Sequence, residues 1–204
     1  MWSTIFGLTL AAAVSSTGLA QEAAQPTGDT GQESAIFAGG CFWCVEEAFD
    51  KVPGVVATTS GYTGGTVENP TYEQVSGEET GHFEAVKVDY DPAKVTYSQL
   101  LNTFWKNVDP FDADGQFCDK GTSYLSAIFS RAEEERQTAE TSKQAVADRF
   151  KMWVATNVLP EAAFYPAEDY HQDFYTKNPA RYKYYKWGCG RAQRLEEIWG
   201  EPAA

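Results

Sequence analysis

Residues 39–44 read Gly39-Gly40-Cys41-Phe42-Trp43-Cys44, two thiols three positions apart with two large aromatics between them. That spacing could serve a redox dithiol, half of a zinc site, a structural disulfide, or one nucleophilic thiolate beside an apolar seat for its substrate. The thiolate is the reactive form, and a helix N-terminus favours it because unpaired N–H groups and the helix dipole stabilise negative charge. Cys41 stands where such a helix would begin, so the pattern reads as an activated cysteine; the plainer reading is a small buried residue. Structural zinc takes four ligands, commonly in two pairs. Cys118 and Cys189 stand alone and His82 and His171 fit no ligand spacing, so no metal is expected. A thioredoxin-like dithiol normally comes with a βαβ pattern and a cis-proline strand, whereas Phe42-Trp43 suggest a pocket floor. A cysteine hydrolase would want a histidine base; His171 is available, but nothing else marks that class. Both histidines read as structural groups.

The hydrophobic pattern predicts the elements that hold these residues. Ala35–Ala38 is a short apolar run, a buried strand that Gly39-Gly40 turns sharply. From Cys41 to Val52 the residues Phe42, Val45, Ala48, Phe49 and Val52 recur at helical spacing, and Pro53-Gly54 ends the run. Val55–Tyr62 reads as a strand, residues 63–76 as loop, and His82–Tyr90 as an alternating strand. Its two faces carry Phe83, Ala85 and Lys87 against Glu84, Val86, Val88 and Tyr90, with the buried one left open. Thr96–Val108 is a helix with a Thr96/Gln99 capping box and a stripe of Leu100, Leu101, Phe104, Trp105 and Val108. A polar loop covers 109–122 and a strand Tyr124–Phe129; Ser130 with Glu133 then caps a long charged helix to about Ala155. Beyond Pro160 the chain reads as irregular, with a helical piece near Glu168–Tyr175 and an amphipathic segment Arg191–Trp199. Strands alternating with helices predict an α/β or α+β fold around one mixed sheet.

The 204 residues suit one domain, and 43% apolar with 14% aromatic content can fill its core. A net charge of -13 sets the surface against nucleic acid and anionic membranes. The first twenty residues carry no charged side chain, hold an apolar stretch from Ile5 to Val14, and end in Gly18-Leu19-Ala20 before Gln21. They read as a secretory signal, although no Lys or Arg follows Met1. The expectation is export to the periplasm, with retention by an uncleaved N-terminus as the alternative. Residues 21–33 read as a flexible linker and 34–204 as a single domain with a C-terminal tail. No later segment has 18 consecutive apolar residues.

Several stretches together resemble the A-type peptide methionine sulfoxide reductases: AIFAGGCFWCVEEAFDKVPGV, GYTGG, NPTYEQVSGEETGHFEAVKVDYDP, DKGTSYLSAIF and AEDYHQDFYTKNP, in the family's order from about Ile36 to Pro179. The resemblance implies a plait-like two-layer α+β domain. It implies protein repair after oxidation: reduction of methionine sulfoxide, free and in proteins, with selectivity for the S epimer. By position, Cys41 matches the nucleophile, and Phe42 and Trp43 match the aromatic box around the substrate methyl. Tyr72, Glu84 and Tyr124 match the groups that hydrogen-bond the sulfoxide oxygen, and Asp119 a carboxylate that fixes the substrate backbone.

The chemistry fits those roles. A thiolate attacks sulfur while the oxygen takes a proton and leaves, so Glu84 must be held neutral by a pocket of Phe42, Trp43, Tyr72 and Tyr124. On pattern alone Glu84 reads as a solvated strand carboxylate and the tyrosines as core groups. Attack leaves Cys41 as a sulfenic acid, which a second thiol condenses to a disulfide. Many relatives carry glycine where Cys44 stands and resolve with tail cysteines. Cys189, between Gly188 and Gly190, is therefore the preferred resolving thiol, with Cys44 and Cys118 as alternatives; a Cys41–Cys44 bridge is expected to strain the first helical turn. The resemblance implies no bound cofactor, a thioredoxin-like dithiol as electron donor, and a monomer. Two rival readings remain: an exported dithiol oxidoreductase using Cys41 and Cys44, and a secreted binding module stapled by two disulfides.

Overall fold

A strand that turns straight into a helix needs backbone that few residues adopt, and Gly40 supplies it at φ 76°. A Cβ there would lie 2.5 Å from the Gln116 side chain, so the close approach also demands glycine. In the computed structural model, which describes Met1, Trp2 and residues 31–200, this turn joins β1 (Glu33–Gly39) to α1 (Phe42–Asp50). Cys41 is the N-cap residue, in non-helical backbone. Glu33, assigned above to the linker, already belongs to β1. The rest of the expected signal and linker, from residue 3 to residue 30, lies outside the described residues.

The remaining elements are β2 (Val55–Thr63), α2 (Tyr72–Ser76), β3 (Phe83–Tyr90), α3 (Tyr97–Lys106), β4 (Gly115–Gln116), β5 (Asp119–Lys120), a 3-10 turn (Thr122–Tyr124), β6 (Ser126–Ser130), α4 (Glu133–Phe150), β7 (Asn157–Pro160), β8 (Phe164–Pro166), α5 (Phe174–Lys177), α6 (Pro179–Gly188) and α7 (Arg191–Trp199). Six strands form one sheet in the order β7-β6-β1-β3-β2-β8, and β4–β5 is a separate ribbon. The β6–β7 pairing is parallel and the others antiparallel, which makes the sheet mixed as expected.

The open question of β3 has a clear answer. Val86, Val88 and Tyr90 join Val45 and Phe49 of α1 and Leu100 and Phe104 of α3 in the main core, and Glu84, fully buried, heads the same row. Phe37 sits at the centre, stacked on Phe49 at 4.8 Å and Phe104 at 5.5 Å. Ile36, Ala38, Ala85, Ala127 and Phe129 bury the opposite face. A carboxyl between two apolar layers cannot be the solvated group that strand alternation alone suggests.

Other expectations need correction. Ser130 does not cap α4: it ends β6, and its hydroxyl donates to the Leu159 carbonyl on β7, so Ala132 is the N-cap. The helix stops at Phe150, short of Ala155, where Lys151 turns left-handed. Within 63–76, Thr71 and Gln74 form a capping box that starts α2 at Tyr72. The chain beyond Pro160 is not irregular. It adds β8 at the sheet edge, and its tail folds into α6 and α7, with Pro179 in the first turn of α6 as proline geometry favours. The tail is docked on the domain: Arg191 is buried and donates to the carbonyls of Gly39 and Asn107, while Arg194 pairs with Asp109 at 2.7 Å. A Cys118–Cys189 disulfide ties the β4–β5 ribbon to the C-terminus of α6. Among the described residues no helix is long and apolar enough to cross a membrane.

Candidate active site

Cys41, Phe42, Trp43, Tyr72, Glu84, Asp119 and Tyr124, each singled out above, line one cavity of about 50 Å³ together with Tyr185. The Gly40 turn delivers the first three, the buried row of β3 delivers Glu84, and the start of α2 delivers Tyr72. The ribbon and the 3-10 turn bring Asp119 and Tyr124, and α6 brings Tyr185.

Glu84 accepts the Phe42 N–H at 3.0 Å and is hydrogen-bonded to Tyr124, which also meets Tyr72. Burial pushes its pKa up to about 8, and the Asp119 charge adds to that rise. At neutral pH the group is therefore a carboxylic acid that can give a proton. Tyr72 and Tyr124 are raised as well, chiefly by burial and next by the Glu84 charge, so both stay phenols. Asp119 is raised by burial and accepts the Tyr185 hydroxyl.

The cysteines depart from the simple helix-dipole picture. Burial pushes the Cys41 thiol well above its ordinary value, and neighbouring Cys44 and Glu84 add to this. Cys44, in the first turn of α1, accepts a hydrogen bond from Cys41 and falls to about 6, with Arg191, Tyr182 and Lys186 also favouring its charge. Their mutual contact thus favours the proton on Cys41 and the charge on Cys44. Both thiols are free and buried. Cys41 is the N-cap of α1, and Cys44 lies three residues on in its first turn. Cys189, the preferred resolving thiol, is instead bonded to Cys118 and does not face Cys41 as a thiol. Cys118, Asp119 and Cys189 form the one cluster of metal-ligand type among the described residues, and its two sulfurs are bonded to each other.

An aromatic wall surrounds Cys41. Trp43 stacks on Phe174 at 3.7 Å and meets the edge of Tyr185 at 5.7 Å. Its indole N–H donates to His171 Nδ1 at 3.0 Å. His171 packs against Phe42 and Tyr72 at 4.8 and 4.5 Å, and burial lowers its pKa to about 4, so the ring is neutral and holds the indole in place. His82 is structural, as read: its ring accepts from Gly65 N–H and donates to the Val67 carbonyl.

Residues 33–203 match the sequence profile of the peptide methionine sulfoxide reductases. The chain belongs to that family. It is 52% identical to peptide methionine sulfoxide reductase MsrA of Ligilactobacillus salivarius, over 82% of this chain and 98% of the relative. For the MsrA of Bacillus subtilis the identity is 50%, over 83% and 97%. Among solved structures, methionine sulfoxide reductase A of Corynebacterium diphtheriae superposes with a TM-score of 0.67 at 34% identity, covering 74% of this chain and 77% of the other. Reduced Mxr1 of Saccharomyces cerevisiae gives 0.71 at 29% identity, covering 74% and 88%. Mxr1 has also been solved in complex with Trx2; that chain shares the fold at 21% identity and a TM-score of 0.51, covering 72% and 86%. As a peptide methionine sulfoxide reductase this chain is a peptide-methionine (S)-S-oxide reductase, an oxidoreductase that uses thiols to return methionine sulfoxide to methionine. The dithiol-oxidoreductase reading is not favoured.

Sequence reasoning missed Tyr185 and its neighbour Tyr182 on α6. The usable signal was Pro179, which announces a helix, with two tyrosines three apart behind it.

Proposed function

We propose that Cys41 is the nucleophile, Glu84 the acid, and Cys44 the resolving thiol of this reductase. One observation carries the reading: a carboxyl held neutral by burial and a thiol share one small cavity, walled by Phe42 and Trp43. The substrate methyl packs on the two aromatics, and its oxygen meets Glu84, Tyr72 and Tyr124. Asp119 is placed to receive a backbone N–H of the substrate.

Attack begins when Cys41 passes its proton to the Cys44 sulfur along their hydrogen bond. The Cys41 thiolate bonds to the sulfoxide sulfur while Glu84 protonates the oxygen. The sulfur–oxygen bond breaks, hydroxyl moves to Cys41, and methionine leaves; Cys41 is oxidised to sulfenic acid and the substrate reduced by two electrons. Cys44 then attacks the Cys41 sulfur, and its proton leaves with the hydroxyl as water. Glu84 regains a proton from solvent, and an external dithiol reopens the disulfide.

A thioredoxin-like protein suits that last step, and the complex of Mxr1 with Trx2 supports it. Export remains part of the proposal: the family match begins at residue 33, and the uncharged apolar segment lies before it. An exported protein whose measured mass begins at Gln21 supports cleavage, and one that still carries Met1 contradicts it. The reductase reading is tested with resolved epimers of a methionine sulfoxide peptide and dithiothreitol. The S epimer is expected to yield methionine and the R epimer to remain unreacted; equal turnover of both would contradict the site as described.

A further inference from the structure

The tail expected to be irregular places a helix against the thiol pair. Cys41, Cys44, Phe174 and Tyr182 form one buried cluster, with Tyr185 packed on it. Tyr182 and Tyr185 lie three residues apart on α6 and so project from the same face. The Tyr185 hydroxyl lies within hydrogen-bonding reach of the Cys41 sulfur, and the Tyr182 hydroxyl within reach of the Cys44 sulfur. We propose that α6 supplies two further catalytic groups, the phenols of Tyr185 and Tyr182, which donate hydrogen bonds to ionised Cys41 during sulfoxide attack and to ionised Cys44 during disulfide closure. The inference rests on the reductase reading above and assigns each sulfur its own donor.

Proton accounting supports it. A phenol has one proton, and in the resting state Tyr185 donates to Asp119 while Tyr182 donates to Glu47 at 2.6 Å. Each carboxylate has other support when its phenol turns away. Glu47 keeps Lys186 at 2.6 Å and Lys51 at 3.1 Å, and Asp119 keeps the charges of Arg191 and Lys120. Each phenol can therefore turn its proton to a sulfur as that sulfur becomes charged. The groups facing Cys41 are Cys44, Tyr72, Glu84 and Tyr185, with Asp119 and Tyr124 on the same cavity; those facing Cys44 are Cys41, Glu84, Arg191, Tyr182 and Lys186. Both tyrosines favour the charged form of their own sulfur. A hydrogen bond to a charged group in a buried site carries enough free energy to change a rate by about ten- to a hundredfold.

The test uses the full chain with Tyr185→Phe, Tyr182→Phe and, as control, Tyr184→Phe, whose side chain on the same helix is 77% exposed. The phenylalanine variants keep the rings, so packing on Trp43 and Phe174 survives, and near-ultraviolet circular dichroism checks it. Rapid quenching with methionine-S-sulfoxide follows methionine release for attack and loss of free thiols for closure, across pH; thiolate absorbance follows ionisation without substrate. Tyr185→Phe is expected to slow methionine release about ten- to a hundredfold and to move its profile to higher pH. Tyr182→Phe is expected to slow thiol loss by a similar factor and to raise the pH at which the thiolate appears. Tyr184→Phe should match wild type in both. If both buried variants match Tyr184→Phe, or slow both steps equally with no displacement in pH, the proposal is overturned and α6 is only scaffolding. Wild-type protein that releases no methionine would overturn the reductase reading and this inference with it; normal release with indifferent variants overturns this inference alone.

Discussion

Cys41→Ser is expected to abolish methionine release, and Cys44→Ser to release one equivalent and then stop when no small thiol is present. A serine hydroxyl stays protonated across neutral pH and is a poor nucleophile toward sulfur, so no group in the cavity replaces Cys41. Cys44→Ser leaves attack possible, more slowly because the proton-accepting sulfur is gone, but the sulfenic acid on Cys41 then has no partner within reach. Cys118 and Cys189 are bonded to each other. Chromatography of methionine per protein, with dimedone labelling of the sulfenic acid, checks both variants. Multiple turnovers by Cys44→Ser with a dithiol protein as sole reductant would remove Cys44 from the resolving role.

Glu84→Gln is expected to slow methionine release about 10²–10⁴-fold, the usual worth of a well-placed general acid. The wild-type rate should decline as pH rises through about 8, where the buried carboxyl ionises, and the variant should lack that limb. The stability of the variant should move opposite to its rate. Glu84 titrates near 4.5 when unfolded and near 8 when folded, so its neutral form contributes fully below the lower value and that contribution is lost as pH rises through the higher. Glutamine keeps an acceptor for the Phe42 N–H without the buried charge. The melting temperature of Glu84→Gln should therefore exceed that of wild type above pH 8, with the difference narrowing towards pH 5. A wild-type rate flat from pH 6 to 10, or a variant less stable at pH 9, would mean that Glu84 is not the buried neutral acid described.

Local pattern revealed the elements that mount the nucleophile. Gly39-Gly40, the apolar stripe from Phe42 to Phe49 and the Thr96/Gln99 box encode short-range geometry, and the structure has each of them. It did not reveal which face of β3 is buried, because Ala85 and Val86 point to opposite layers and both layers are covered. Ser130 was misleading for a related reason: a serine three residues before a glutamate is a helix-start signal, but pairing with β7, nearly thirty residues on, makes it a strand end. Long-range closure also explains the cysteines. Cys118 and Cys189 are 71 residues apart, and no spacing rule joins them. The family resemblance brought Tyr72, Glu84, Tyr124 and Asp119 together; residue type alone gave them bland readings. The tail was least legible, since Tyr182 and Tyr185 gain meaning only once α6 lies against Cys41 and Cys44.

The reaction centre is the Cys41–Cys44 pair, and the bond it forms can be read directly. Protein with its Cys118–Cys189 bridge intact is mixed with one equivalent of methionine-S-sulfoxide, alkylated, digested without reductant and mapped by mass. The account predicts a new Cys41–Cys44 bridge beside an unchanged Cys118–Cys189 bridge. A new bond from Cys41 to Cys189 or Cys118 would contradict it.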